Sequence, residues 1–217
     1  MTKTSIKHPP IRIHGVHAYD RGAKARWLLT EIGVHFENIW MKNREFEKSD
    51  YMEMNPMGRV PAMEFGDTVL FESGAIASYL SDFFSDSEMS QKIDSPLRAE
   101  YLKWMFFTAS TLDPFQTRIM IIEDIPPGEL YDKKFSALMS DVEDAYRTLE
   151  LTLSKQPFLV GGRFSTADIC ASYHLYFQML WPEFEGAMKK FPKVADYLER
   201  MKKHPSAITA EVFSYEA

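Results

Sequence analysis

Strand-like patterning is confined to the first third of the chain, and everything beyond it repeats at helical spacing. Ile11 and Ile13 alternate with polar neighbours up to Gly15, and Phe36 to Trp40 supply a second short apolar run. Val60 to Phe65 and Val69 to Phe71 flank Gly66-Asp67, a residue pair suited to a tight hairpin turn. Between the first two runs, Ala23, Trp27, Leu28 and Ile32 recur at helical spacing and stop at Gly33. Ile76, Tyr79, Leu80, Phe83 and Phe84 then form a broad apolar stripe that begins just after Ser73. The pattern predicts a βαβ unit, a hairpin and a closing helix.

From Ser85 to Ser95 the sequence turns polar and reads as a linker. Ser95-Pro96 predicts a helix cap followed by proline at the first helical position. The stripe continues through Leu97, Tyr101, Trp104, Met105, Thr108 and Leu112. Further helices are expected around Phe135 to Leu153, from Ser165 to about Leu180, and through Val194, Tyr197, Leu198 and Met201. Strands first and helices afterwards imply two unlike domains. Their expected bounds are residues 1–84 and 96–217, joined by 85–95, with the second domain covering a helix or edge of the first.

With 217 residues, each half has enough chain for a core. The 25 basic against 31 acidic residues give a net charge of −6, and neither half is basic, which speaks against a nucleic-acid partner. An anionic ligand would need locally placed cations or backbone amides. Cys170 is the only cysteine, so no intrachain disulfide and no cysteine metal cluster can form. It falls on an apolar helix face and is expected in the core. The histidines (His8, His14, His17, His35, His174, His204) show no metal spacing, and no metal is expected. Met1 to Pro10 lacks the apolar core of a signal peptide, and no window is apolar enough to span a bilayer. The expectation is a cytoplasmic protein with no membrane partner.

The segment from Asn55 to Ile76 carries the most chemical information. Val60-Pro61 opens a strand, an awkward place for a residue without an N–H. A cis bond there would present the Val60 backbone to an extended ligand. Glu72-Ser73 lies at a helix start, where free amides and the dipole favour a carboxylate and the Ser73 hydroxyl adds a donor. Glu72 would suit an ammonium group, so the two residues together describe a pocket for an α-amino acid.

Asn55-Pro56-Met57-Gly58-Arg59-Val60-Pro61 followed by Glu72-Ser73 resembles the glutathione-binding signature of the glutathione transferase superfamily. The stretch from Phe158 to Cys170 resembles the folding motif of that family's helical domain, and the order of elements agrees from Ile11 to about Phe213. The resemblance implies a thioredoxin-like domain of order βαβαββα followed by an all-helical domain. It implies glutathione as co-substrate, with Val60 pairing backbone to backbone with the cysteinyl unit and Pro61 cis. Glu72 and Ser73 would hold the γ-glutamyl end, while Arg59 and Lys42 are candidates near the glycyl end. A homodimer is also implied. Ser165-Thr-Ala-Asp168 has a local explanation as a variant capping box, which assigns Asp168 to structure.

A transferase must favour the thiolate, because the thiol is a poor nucleophile with a pKa of about 8.5 or above. The family commonly uses a tyrosine in the first strand, or a serine or cysteine at the start of the first helix. Gly15 or Val16 stands at the first place and Tyr19-Asp20-Arg21 at the second, which departs from every version of the pattern. A carboxylate beside sulfur would repel a thiolate, so Asp20 is expected to cap the first helix and point its carboxylate at backbone amides instead. Tyr19 as hydroxyl donor, Arg21 as cation and the helix amides remain as candidates. No cysteine stands in this turn, which disfavours thiol–disulfide exchange through the enzyme. Trp104, Met105 and Thr108 are expected to face a small hydrophobic electrophile. The implied activity is detoxifying conjugation, or peroxidase or dehalogenating chemistry; the alternative is an inactive member serving as an interaction scaffold.

Overall fold

The computed structural model describes residues 8–42 and 45–215. The first seven residues of the polar amino-terminal segment and the last two residues of the expected helical domain lie outside this range. The first domain runs β1 (Ile11–Gly15), α1 (Ala23–Glu31), β2 (Glu37–Trp40), α2 (Ser49–Met52), β3 (Ala62–Phe65), β4 (Thr68–Phe71) and α3 (Ser73–Phe83). The sheet order is β2-β1-β3-β4. β1 pairs in parallel with β2, Ile13 opposite Asn38, and antiparallel with β3, Ile13 opposite Met63. Because β1 is flanked by strands on both sides, its Ile11 and Ile13 are buried. This is the mixed sheet of a thioredoxin-like domain, and the hairpin at Gly66-Asp67 falls between β3 and β4 as the turn chemistry predicts.

The second domain is helical. α4 (Arg98–Phe107) runs through a π-helical turn, Thr108–Leu112, into α5 (Asp113–Glu123), and α6 (Glu129–Leu153) comes next. α7 (Thr166–Gln178), α8 (Pro182–Met188), α9 (Pro192–Lys202) and α10 (Pro205–Thr209) complete it. Ser95 does not cap α4 directly. Its hydroxyl accepts the Leu97 amide at 3.2 Å in a preceding turn, and the helix starts only at Arg98.

One apolar core spans both domains, because α1 is covered by the helical domain. Trp27 on α1 is fully buried and donates its indole N–H to Ser206 Oγ on α10 at 2.8 Å. Tyr173 on α7 donates to the Tyr19 carbonyl at 3.1 Å. The Asp168 carboxylate, also fully buried, accepts the Leu159 and Ser165 amides at 2.9 and 3.0 Å and the Ser165 and Tyr197 hydroxyls at 3.0 Å each. It ties the chain before α7 to α7 and α9. Cys170 is buried nearby, and burial pushes its thiol up to about 11, far from reactive. Among the described residues no helix is long and apolar enough to cross a membrane, and no three His, Cys, Asp or Glu side chains cluster as metal ligands.

Candidate functional site

The loop before β3 is built to display one residue's backbone. The Arg59 carbonyl accepts the Tyr51 hydroxyl at 2.7 Å and the Asn55 side-chain amide at 2.6 Å. Asn55 also receives the Met57 amide at 3.1 Å, so the Asn-Pro-Met-Gly turn is held from inside. Burial pushes the Tyr51 phenol up to about 12, which keeps it a donor. Val60 comes after it, half-buried, with the Val60-Pro61 bond cis. The β3 ladder begins only at Ala62, leaving the Val60 backbone outside the strand register.

At the next corner Glu72 adopts φ 69° and ψ 108°, in the left-handed region. A non-glycine residue there costs about 1–3 kcal/mol, the kind of strain that marks functional corners. Ser73, nearly buried, is the first residue of the 11-residue α3, so the free amides of the first turn and its positive dipole end open beside it. Glu72 is exposed, and it lies close enough to Arg21 and Lys24 to favour their charged forms.

The turn between β1 and α1 is closed by Asp20. Its Oδ2 accepts the Val16 and His17 amides at 2.7 and 3.2 Å, and its Oδ1 accepts the Gly22 amide at 2.7 Å. These amides lie in the loop ahead of α1, so the carboxylate organises the turn and not the first helical amides. Arg26 Nη2 donates to Oδ1 at 2.6 Å and to the His17 and Ala18 carbonyls at 2.8 and 3.1 Å. Arg26 also stacks on Trp40, 5.0 Å from the ring centre. The Asp20 charge is therefore buried and balanced by Arg26 and three backbone amides.

Tyr19 and Arg21 take different surroundings. Tyr19 is half-buried, stacked on His17 at 4.9 Å and edge-on to Tyr215 at 5.1 Å. Arg21 crosses to the helical domain: Nε lies 3.0 and 3.2 Å from the two oxygens of Asp113, and Nη2 lies 2.5 Å from Oδ1. Burial alone would raise the Asp113 carboxyl, but the Arg21 guanidinium bonded to it and the nearby Lys24 hold it below the ordinary carboxylate range. Arg59 is exposed beside Val60, whereas Lys42 is exposed beyond β2 with its amide on Glu45 at 2.9 Å.

Trp104, Met105 and Thr108 are instead packed in the helical-domain core, Thr108 donating to the Trp104 carbonyl at 2.8 Å. The same stretch turns Phe106, Ala109 and Ser110 outward, and Ala109 faces Gly74 at the start of α3. Asp113 and His174 were not expected at the site. Asp113 sits directly after the π-helical turn, which shifts the helical register by an amount that apolar periodicity does not reveal.

A thioredoxin-like domain with the Val60 backbone outside the strand ladder and a helix N-terminus at its corner, covered by a helical domain, defines a two-domain architecture of strands first and helices after. The sequence matches the glutathione S-transferase N-terminal domain over residues 13–82 and the C-terminal domain over 127–209. Over 194 residues it is 30% identical to the glutathione S-transferase-like protein tpcF of Aspergillus fumigatus, covering 82% of this chain and 84% of that one. Glutathione S-transferase PARB of Nicotiana tabacum is 29% identical over 178 residues, 78% of this chain and 82% of its own. The chain belongs to the glutathione transferase superfamily. In fold it is similar to glutathione transferase URE2P6 of Phanerochaete chrysosporium, solved with oxidized glutathione, at TM-score 0.80 and 23% identity over 94% of this chain and 95% of the other. Elongation factor 1-gamma of Prunus avium is 28% identical over 163 residues, 72% of this chain but 36% of that protein.

Proposed function

We propose that the chain binds glutathione and directs its thiolate at a small hydrophobic electrophile, by conjugation or by peroxidase or dehalogenating chemistry. The observation that carries this reading is that the Val60 backbone and the Glu72-Ser73 corner flank the same end of the β3-β4 hairpin, where Ala62 pairs with Phe71. The cysteinyl unit pairs with Val60 beside cis-Pro61. The γ-glutamyl carboxylate meets Ser73 and the first amides of α3, and its ammonium meets Glu72. Arg59 and Lys42 serve the glycyl carboxylate.

At the sulfur, the turn amides of Val16 and His17 are already taken by Asp20. That leaves the Tyr19 hydroxyl, the Arg21 edge that faces away from Asp113 and the first amides of α1 as the groups to favour a thiolate. Ser73→Ala is expected to weaken glutathione binding about tenfold by calorimetry, the loss of a hydrogen bond to a charged group. Ultraviolet titration of the wild-type complex should place the thiol pKa below that of free glutathione. No uptake at millimolar glutathione by folded protein would remove the biochemical reading.

Asp20 also favours a second reading, a non-catalytic scaffold, since a carboxylate stands where the family commonly places a serine or cysteine. Tight binding with an unshifted thiol pKa would be its signature. A cytoplasmic homodimer completes the proposal. Val69 and Phe71 on β4, Phe83 on α3 and Phe106 on α4 leave apolar surface exposed, Phe106 at 68%. Light scattering should give twice the 25.2 kDa chain mass, and Phe106→Glu should reduce it towards one chain. A monomer mass for the unaltered protein would refute the dimer.

A further inference from the structure

Glutathione binding through Val60, Glu72 and Ser73 makes no use of a row of polar side chains that crosses the domain junction. Lys24 on α1 is 3% exposed, and its Nζ lies 3.0 Å from Nε2 of His174 on α7, which is fully buried. The other ring nitrogen of His174, Nδ1, has no hydrogen-bond partner among the described residues and lies 3.7 Å from Asp113 Oδ1 on α5. Asp113 in turn grips one edge of the Arg21 guanidinium. The row runs from the interior at Lys24 to Arg21 at the surface, whose side chain is 41% exposed.

The chemistry of the row is directional. An ammonium only donates, so the Lys24 N–H donates a hydrogen bond to Nε2 and the ring proton of neutral His174 sits on Nδ1, facing Asp113. Burial holds His174 well below its ordinary pKa and also lowers Lys24, so the imidazole is a neutral donor and not a further cation. Asp113 thus has the His174 ring against it on the interior side, 3.7 Å away and beyond hydrogen-bond reach, and Arg21 forked onto it on the other. With the ring in contact on one side, the carboxylate is limited in how it can turn and so holds the plane of the guanidinium bonded to it.

Joining two domains does not require this arrangement. Well-packed apolar residues would do so without desolvating a lysine and a histidine. The π-helical turn immediately before Asp113 is a second local departure spent at the same spot, and such turns gather at functional sites.

We propose that Lys24, His174 and Asp113 are positioning residues that fix Arg21 at the mouth of the tripeptide site, so that the helical domain sets the ligand affinity of the thioredoxin-like domain. The ligand named here rests on the glutathione reading; the geometry of the row does not.

The test uses the full chain, with the Arg21 Nε–H signal tracked by NMR and glutathione affinity by calorimetry. His174→Leu removes both contacts of the ring, whereas His174→Asn keeps a donor near the Nδ1 position. His174→Leu is expected to move the Arg21 Nε–H signal and to weaken glutathione binding about fivefold. His174→Asn should restore most of both. In an Arg21→Gln background His174→Leu should have no further effect on affinity, a coupling that general loosening would not produce. Equal weakening in both backgrounds, or an unmoved Nε–H signal, overturns the proposal. If His174→Leu fails to fold, Lys24→Met carries the same comparison. If the unaltered protein takes up no glutathione, that reading fails by itself and the Nε–H response decides the row, upheld by a shift that asparagine reverses and overturned by none.

Discussion

Asp20 and Arg26 face each other with side chains 7% and 3% exposed, and the residues around them are chosen to fit. A Cβ on Gly15 would stand 2.5 Å from Asp20 Oδ2, and one on Gly22 would stand 2.8 Å from both Asp20 Oδ1 and Arg26 Nη1. Neither glycine is needed for a left-handed backbone; both are needed for close approach. Asp20→Asn keeps the shape but strips the countercharge from a buried guanidinium. It should cost about 3 kcal/mol in urea unfolding, as breaking a buried pair from one side does. An unchanged midpoint would mean that the pair is not carrying the turn. That Asp20 serves backbone amides was legible in the sequence, because a carboxylate beside sulfur makes poor chemistry. Its pairing with Arg26 was not, since the arginine arrives from the next helix turn and backbone folding alone brings the two together.

At the scale of elements, legibility tracked length and period. The four strands and the long helices α6, α7 and α9 carry apolar residues at spacings that only one secondary structure satisfies. α8 and α10, of seven and five residues, are too short for a period to show and are marked only by their leading prolines. The π-helical turn hid the true direction of α5. The wider turn rotates what comes after it, so the face that Asp113 occupies does not follow from the apolar period before it, whereas Trp104, Met105 and Thr108 lie on the apolar stripe that packs into its own domain. The corner at Glu72-Ser73 was read from the chemistry of a helix start, whereas the Asp113–Arg21 link depends on two elements 92 residues apart. The α7 start was the most legible of all. Ser165 and Asp168 sit three apart, and the carboxylate collects two amides and two hydroxyls. Asp168→Ala would leave the Leu159 and Ser165 amides buried without partners and should lower stability by about 3 kcal/mol. A loss under about 0.5 kcal/mol, the usual scale of a surface change, would show that water replaces the carboxylate.

Across the whole molecule the domains are joined by apolar packing around Trp27 and by the polar row at His174, and the row responds to pH. His174 faces Lys24 from α1 and Asp113 from α5, with Arg21 beyond, so a proton on its ring adds charge next to two cations that share one nearby carboxylate. In the unfolded chain the ring titrates near 6.5, and in the fold burial depresses it well below that value. The folded protein therefore binds fewer protons in this window, and stability rises with pH wherever the unfolded state holds more. The contribution of His174 is complete above about pH 6.5 and drains away as pH falls through the window towards the folded pKa. Lys24 acts in the same sense at higher pH, since its folded pKa is also lowered. Asp168, whose carboxyl burial pushes up to about 6, acts in the opposite sense over the same window in every variant that keeps it. The His174 contribution is therefore read as a difference: from pH 7 to pH 5 the urea midpoint of the natural sequence should fall relative to that of His174→Asn, which cannot take up that proton. Parallel profiles for the two proteins would mean that the acid response arises elsewhere and that the junction tolerates a charged ring.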